Sequence, residues 1–502
     1  MARYKPYNYS QSMLMPIRLD QQLVPGTLEF AIHHLVDNHL DMTVLDARFI
    51  NDDTGRPAYD PRILLKIVLV AYSRGIVHSR KIEQACIENV TFMALACGQA
   101  PDYSTIATFI SSMKDEVSSL FRDVLLACDE MNLLGGTTFS LDGCKLPSNA
   151  SKEWSGTVKT LRKKQRKLEA RVKELIERQI EVDQEEEQVA DLSKREKQIE
   201  RILKKADRIR EFLGENGARI GRTGKEIKSN ITDNESAYIK TSHGVIQGFN
   251  GQGMVNEEQI IVAARAFGNG QDYSHLAPMI EEAKQNLESI GYPSGCLEGN
   301  TLLADSNYHC EDNLKVCDEE KLDAYIPDVY FRKRDQRFET QANHKPKKSH
   351  RFTIADFTYN EETDWYICPK GKELKLKAEK AKTGNRVFRK YAIKDGDCSK
   401  CTFASKCLEK RGGKKKYLSI LIETIPSCHQ DMVEKIDTDE GRRKYEKRLG
   451  MVEPVFANIR TQKRMDRFTL RGSIKVNIQW LLYCMVHNIE KLAGHGYGYA
   501  VN

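Results

Sequence analysis

Long apolar runs are missing from this sequence. The best are Leu64 to Tyr72 and Trp480 to Val486, well short of the roughly 18 uninterrupted apolar residues that a membrane-spanning helix needs. The opening MARYKPYNYS has two basic residues but neither an apolar stretch nor a small-residue cleavage site behind them, so no secretory signal is expected. A disulfide framework is not indicated either. Thirteen cysteines are an odd count scattered over 502 residues, which argues for reduced thiols and a cytoplasmic setting, with some thiols available to metal. No internal repeat of useful period is present. Ser140 and Ser306 stand beside acids, yet no Ser, His and Asp arrangement is legible, which leaves nucleophilic hydrolysis without support.

What is present fits a soluble globular chain of about three domains. Hydrophobic residues make up 40% and charged residues 30%, with a mean hydropathy of -0.55. The net charge of +7 is unevenly placed. Residues 1–141 carry 12 Lys and Arg against 16 Asp and Glu, residues 370–416 carry 17 against 5, and residues 442–475 carry 11 against 3. Positive charge gathered in the C-terminal third suits a phosphate backbone, although a lysine-rich solvated surface has the same composition.

Residues 1–135 read as an all-α domain. Asp60-Pro61 opens a periodic run through Ile63, Leu64, Ile67, Val68 and Tyr72 that stops at Gly75, with the cap acceptor, first-turn proline and terminal glycine of a helix. A second run begins at Ser79 and passes Ile82, Cys86, Val90 and Met93; a third is capped by Ser104 or Thr105. These could form a helix-turn-helix that reads DNA or an ordinary helical bundle. At Thr137–Gly143 the pattern changes to a strand, and a new domain is expected over 136–157 and 214–330. It is interrupted at 158–213, where Leu161, Leu168, Leu175, Val182 and Val189 recur every seven residues, as in a coiled coil formed by one long helix or a hairpin of two. A hairpin is expected from Ala237–Phe249 and Gln259–Phe267, joined by a turn rich in Gly and Asn. A short strand then ends at Asp305. Residues 331–425 read as a basic, cysteine-bearing insertion, and 426–502 as a helical return to the core.

Two strands thus end in aspartate: Asp142 in SLDG and Asp305 in LLADSNY. Carboxylates at strand ends beside small residues suit Mg²⁺ or Mn²⁺, which favour oxygen ligands; each alone also suits a turn. Glu453, in YEKRLGMVEPVF, is the best third acid, and an ion pair with Arg448 is its plainer explanation. Cys368, Cys398, Cys401 and Cys407, with 29, 2 and 5 residues between them, suit a structural Zn²⁺ or four metal-free thiols. His309 reads as a turn histidine, His344 and His350 as part of a basic run, and His487 as packing.

Together Asp142, Asp305 and the spaced set Tyr445, Arg448 and Glu453 resemble the DDE transposases of bacterial insertion sequences, in the branch with a Tyr-Arg-Glu-Lys signature. FNGQ at 249–252, Arg471-Gly472 and WLLYCMVHNIEK follow in the same order. Four residues rather than three separate Arg448 from Glu453, Arg460 stands at the usual lysine position with Lys463 nearest, and Asn307 replaces a frequent glycine. The resemblance implies an α/β, RNase H-like catalytic domain in which Asp142, Asp305 and Glu453 hold two metal ions for in-line phosphodiester displacement. Water attacks first, then a freed 3′-OH attacks target. It further implies phosphate contacts by Tyr445, Arg448 and Arg460 or Lys463, double-stranded DNA as partner, a homodimer joining element ends, and a nucleoid location. A catalytically dead DNA-binding descendant and a coiled-coil scaffold are the alternatives.

Overall fold

The computed structural model describes residues 17–48, 57–182, 189–221, 224–241, 244–340, 352–383, 386–393, 398–408, 415–424 and 428–498. His344 and His350 lie outside them. Among the described residues no helix is long and apolar enough to cross a membrane. The chain divides into two compact units, one of Met1–Tyr308, Cys317–Ala324 and Glu446–Asn502, the other of His309–Val316 and Tyr325–Tyr445.

The first unit opens with helices α1 (Leu28–Asn38), α2 (Pro61–Ser73), α3 (Ser79–Glu88), α4 (Val90–Leu95), α5 (Tyr103–Ser112) and α6 (Glu116–Glu130). The cap of α2 is as expected, with Asp60 Oδ1 accepting from the Arg62 N–H at 2.7 Å. Two details differ from expectation. The run from Ser79 breaks at Asn89, whose Oδ1 accepts from the Thr91 and Phe92 N–H groups and so starts α4. α5 is capped by Asp102, which accepts from the Ser104 and Thr105 N–H groups at 2.9 and 3.1 Å, because a carboxylate just before Tyr103, two residues ahead of Ser104, reaches both orphan donors.

The strands form a mixed sheet: β1 (Thr138–Pro147), β2 (Ala237–Thr241), β3 (Gly244–Asn256), β4 (Ile261–Phe267), β5 (Thr301–Ala304) and β6 (Asp323–Tyr325); the expected arm 237–249 divides into β2 and β3, and β6 adds a strand to those expected. In space the order is β4, β3, β1, β5, β6, with β2 also on β3. β1 runs antiparallel to β3 and parallel to β5. The FNGQ segment is not a turn; it lies within β3, and its glycines serve packing. A Cβ on Gly251 would stand 3.0 Å from the Trp480 ring, and Gly253 faces Phe456, so glycine lets helices approach the strand closely. Between β1 and β2 the described residues form two helices, α7 (Val158–Val182) and α8 (Val189–Glu215). Leu161 near the start of α7 clusters with Ile209 near the end of α8, and Arg210 pairs with Glu169 at 2.7 Å.

After β4 come helices α9 (Leu276–Ser289), α10 (Asp439–Ala457) and α11 (Ser473–Gly494). α11 is buried continuously from Ile478 to Ile489. Its Asn488 side chain bonds both the N–H and C=O of Ile261 at 2.9 Å, and Asn477 does the same for Ala266 at 2.8 and 3.0 Å. These amides complete the edge of β4, which would otherwise leave buried backbone groups unpaired. His487, bonded to the Gln259 carbonyl at 2.9 Å and driven down to about 3 by burial, is indeed a packing residue.

In the second unit the basic insertion is an antiparallel sheet of β7 (Thr358–Asn360), β8 (Trp365–Ile367), β9 (Glu373–Thr383), β10 (Arg386–Ile393) and β11 (Tyr417–Thr424). One face packs Phe357, Leu374, Tyr391, Ile393 and Leu418. His309 is a packed residue rather than a solvated one, with its ring 4.8 Å from that of His429 and Nδ1 2.7 Å from the Ile326 carbonyl.

Candidate active site

The register of β1 and β5 pairs Leu141 with Ala304, so the next residues, Asp142 and Asp305, stand side by side as β5 ends. Asp142 Oδ1 accepts from the Gly143 N–H at 2.7 Å and Oδ2 from Arg448 Nη2 at 2.6 Å. Arg448 is 8% exposed and Asp142 24%. Burial pushes the Asp142 carboxyl up to about 6; the Arg448 charge opposes the shift, and the charges of Asp305 and Asp272 add to it. Asp305 is raised as well, by burial first, against the Asn307 N–H and the Arg448 charge. Asn307 holds Asp305 through both its backbone and its side chain, at 2.8 and 3.1 Å. Ser140 Oγ and Asn250 Oδ1 are buried without a hydrogen-bond partner among the described residues.

On the opposite face of β1 lies a polar layer that the sequence reading did not single out. Gly143 opposes Gln252, and a Cβ there would fall 2.0 Å from Gln252 Nε2. Asp272 Oδ1 accepts from Asn250 Nδ2 at 2.6 Å and Gln252 Nε2 at 3.2 Å, and Oδ2 from Lys145 at 3.1 Å. The Tyr308 hydroxyl donates to Gln252 Oε1. The only advance signal was a run of amides in a strand otherwise built of glycine and apolar residues, which a turn explains equally well.

α10 brings Arg448 to the acids but not Glu453. Five residues on, Glu453 points about 140° around the helix from Arg448; it is exposed and without a hydrogen-bond or ion-pair partner among the described residues. The helix continues through Pro454. The carbonyl that Pro454 leaves without its usual donor belongs to Gly450, and it accepts instead from Gln259 Nε2 at 2.8 Å. Arg460 is exposed, and its charge reaches Cys144, two residues past Asp142. Lys463 departs from its expected place at the phosphate surface. It is fully buried, and its ammonium is held by Glu490 and Asn458, since the π-helical turn at Asn458–Gln462 carries it inward. In the second unit, Tyr445 packs edge-on against Phe331 with centroids 5.4 Å apart.

The four insertion cysteines draw together. Cys407 is raised by burial, with Cys398, Cys368 and Cys401 adding to the shift. Cys368 Sγ accepts from the Lys372 N–H at 3.4 Å across a turn whose Gly371 has φ +73°, a knuckle geometry. Among the described residues, no group of three or more His, Cys, Asp or Glu is placed to hold a metal ion.

Two family models match the chain: one described as Transposase DDE domain over residues 367–493, and one described as Transposase domain (DUF772) over residues 17–112. No curated protein and no solved structure matches. Both matches are to transposase domains, one toward each end of the chain, and together they support a relation to the insertion-sequence DDE transposases.

Proposed function

We propose that the protein cuts DNA at the ends of its element and joins the freed 3′-OH to target DNA, with Asp142 and Asp305 as the paired acids and Arg448 and Arg460 on phosphates. The observation that carries this reading is the pair of adjacent aspartates, Asp142 in the middle of β1 and Asp305 just past the end of β5, both short of solvent and both raised in proton affinity. Crowded oxygen donors of that kind fit a hard divalent cation, and buried polar atoms lacking partners lie nearby. Mg²⁺ or Mn²⁺ bound there would offset charge on the phosphate oxygens. Arg448 keeps Asp142 compensated in the free protein, and its fork then suits a phosphate oxygen. An RNase H-like core is supported by the antiparallel β4, β3, β1 set continued by parallel β5. The test is incubation of duplex carrying the gene's own flanking sequences with protein and Mg²⁺: cuts at a defined flank position and joined products are expected, and binding without either would end the proposal.

The raised Asp142 carboxyl sets a pH dependence. Because its proton affinity lies above the usual range, at about 6, the carboxylate forms only as pH rises through that value. Cleavage at sub-saturating Mg²⁺ should therefore climb up to about tenfold per unit below about pH 6 and flatten above it. Tenfold more Mg²⁺ should move the bend to lower pH, as competition between cation and proton requires. A profile flat from about pH 5 to about pH 8 would contradict the assignment.

For the insertion we propose a structural Zn²⁺ on Cys368, Cys398, Cys401 and Cys407, supported by the knuckle at Cys368 and the gathered thiols. Elemental analysis of purified protein should give about one zinc per chain, lost in Cys401→Ser. A metal-free protein that refolds equally well with and without zinc would leave the four as plain thiols.

A further inference from the structure

Lys145 lies three residues past Asp142 on β1, on the face that carries Gly143. Its ammonium is 3.1 Å from Asp272 Oδ2; the Lys145 side chain keeps 27% of its surface exposed, that of Asp272 only 9%. Asp272 is fixed independently by the amides of Asn250 and Gln252 on its other oxygen. An ammonium has three donors, and among the described residues Lys145 spends one, on Asp272. Its charge also reaches Asp305, where it favours the ionised carboxylate.

Folding alone does not account for this lysine. Asp272 already has two amide donors, and a half-buried ion pair is commonly no more stabilising than well-packed apolar residues of similar volume. A cation held rigidly by one acid, with donors left over and a further acid, Asp305, within reach of its charge, is placed to meet an incoming anion. We infer that Lys145 is a further catalytic residue of this site, its ammonium contacting a phosphate of the strand being cut, and that Asp272 is the positioning residue that aims it. The inference rests on the transposase reading of Asp142 and Asp305. Lys145 acts as a point charge that binds the phosphate and stabilises the negative charge that builds on its oxygens during displacement.

The test uses the full-length protein, the flanking duplex and Mg²⁺, with single-turnover cleavage and metal-free binding across a salt series measured for each variant. Lys145→Met should cut about 10²-fold more slowly and lower the slope of log affinity against log salt by about one. Lys145→Arg should keep the slope and recover part of the rate. Asp272→Asn should keep the slope while cutting about tenfold more slowly, because the charge remains but is less well aimed. Lys145→Gln, which keeps a donor for Asp272 without the charge, replaces the methionine variant if that one fails to fold. Equal losses of melting temperature in Lys145→Met and Asp272→Asn with an unchanged salt slope would mean a merely structural pair and overturn the inference. So would wild-type cleavage by Lys145→Met alongside an inactive Asp305→Ala. Cleavage by Asp305→Ala at the wild-type rate would instead overturn the reading beneath it.

Discussion

Asp305→Ala is expected to slow single-turnover cleavage of the flanking duplex by on the order of 10³-fold or more, about 4 kcal/mol of transition-state stabilisation, while metal-free binding to duplex changes little. The carboxylate stands beside Asp142 in the parallel register, so its loss removes half of the paired oxygen donors. The same substitution should not weaken the fold at neutral pH. Asp305 is raised in proton affinity by burial, so its ionised form is the less favourable one in the folded state, and its contribution to stability is lost as pH rises through its folded value. Alanine removes that cost, and the melting temperature should stay level or rise. Activity and stability moving in opposite directions is the signature of a functional acid. Cleavage within tenfold of wild type would remove Asp305 from the site, and a matching loss of melting temperature would make it structural.

How much of this was legible in the sequence depended on the range of the interaction. The α2 boundaries were written locally, in Asp60-Pro61 at one end and Gly75 at the other. The two aspartates were legible for the same reason, each following a short apolar run and preceding a small residue, but only Asp305 ends a strand; β1 runs on past Asp142 to Pro147, held by its pairing with β3. Asp272 was not, because it becomes part of the site only through Asn250 and Gln252, about twenty residues away on β3. Lys463 misled for a related reason: it matches a basic position in spacing, but its burial is decided by Glu490 on another helix. The second sheet was hidden by composition. Leu374, Leu376 and Ala378 alternate with lysines along β9, a period of two that the high charge of the segment masked, since long lysine stems can lie along a sheet while their heads stay in water.

Trp480→Ala is expected to cost about 3–5 kcal/mol of folding stability, a large part of the roughly 5–15 kcal/mol typical of a folded chain. The ring is fully buried, stacks on Phe456 at 6.3 Å, meets Phe468 edge-on at 6.3 Å, and donates its N–H to the Gln252 carbonyl at 2.9 Å. Its fit depends on Gly251, where a Cβ would come within 3.0 Å of the ring. Gly251→Ala should therefore cost about 1–3 kcal/mol by overpacking, but much less once the ring is gone. Urea unfolding of wild type, both single variants and the double variant should give a coupling of about 0.5–3 kcal/mol; strict additivity would show that ring and strand are not in the contact described. The loss should also reach catalysis. Phe456, on α10 two turns past Arg448, faces Gly253, and Gly253 is the partner of Asp142 across β1 and β3. Removing the tryptophan frees the side of α10 that presses Arg448 toward Asp142, so cleavage should fall even where the variant remains folded, and Trp480→Phe, which keeps an aromatic ring against Phe456, should recover more of the rate than of the stability, because the hydrogen bond to Gln252 is still missing.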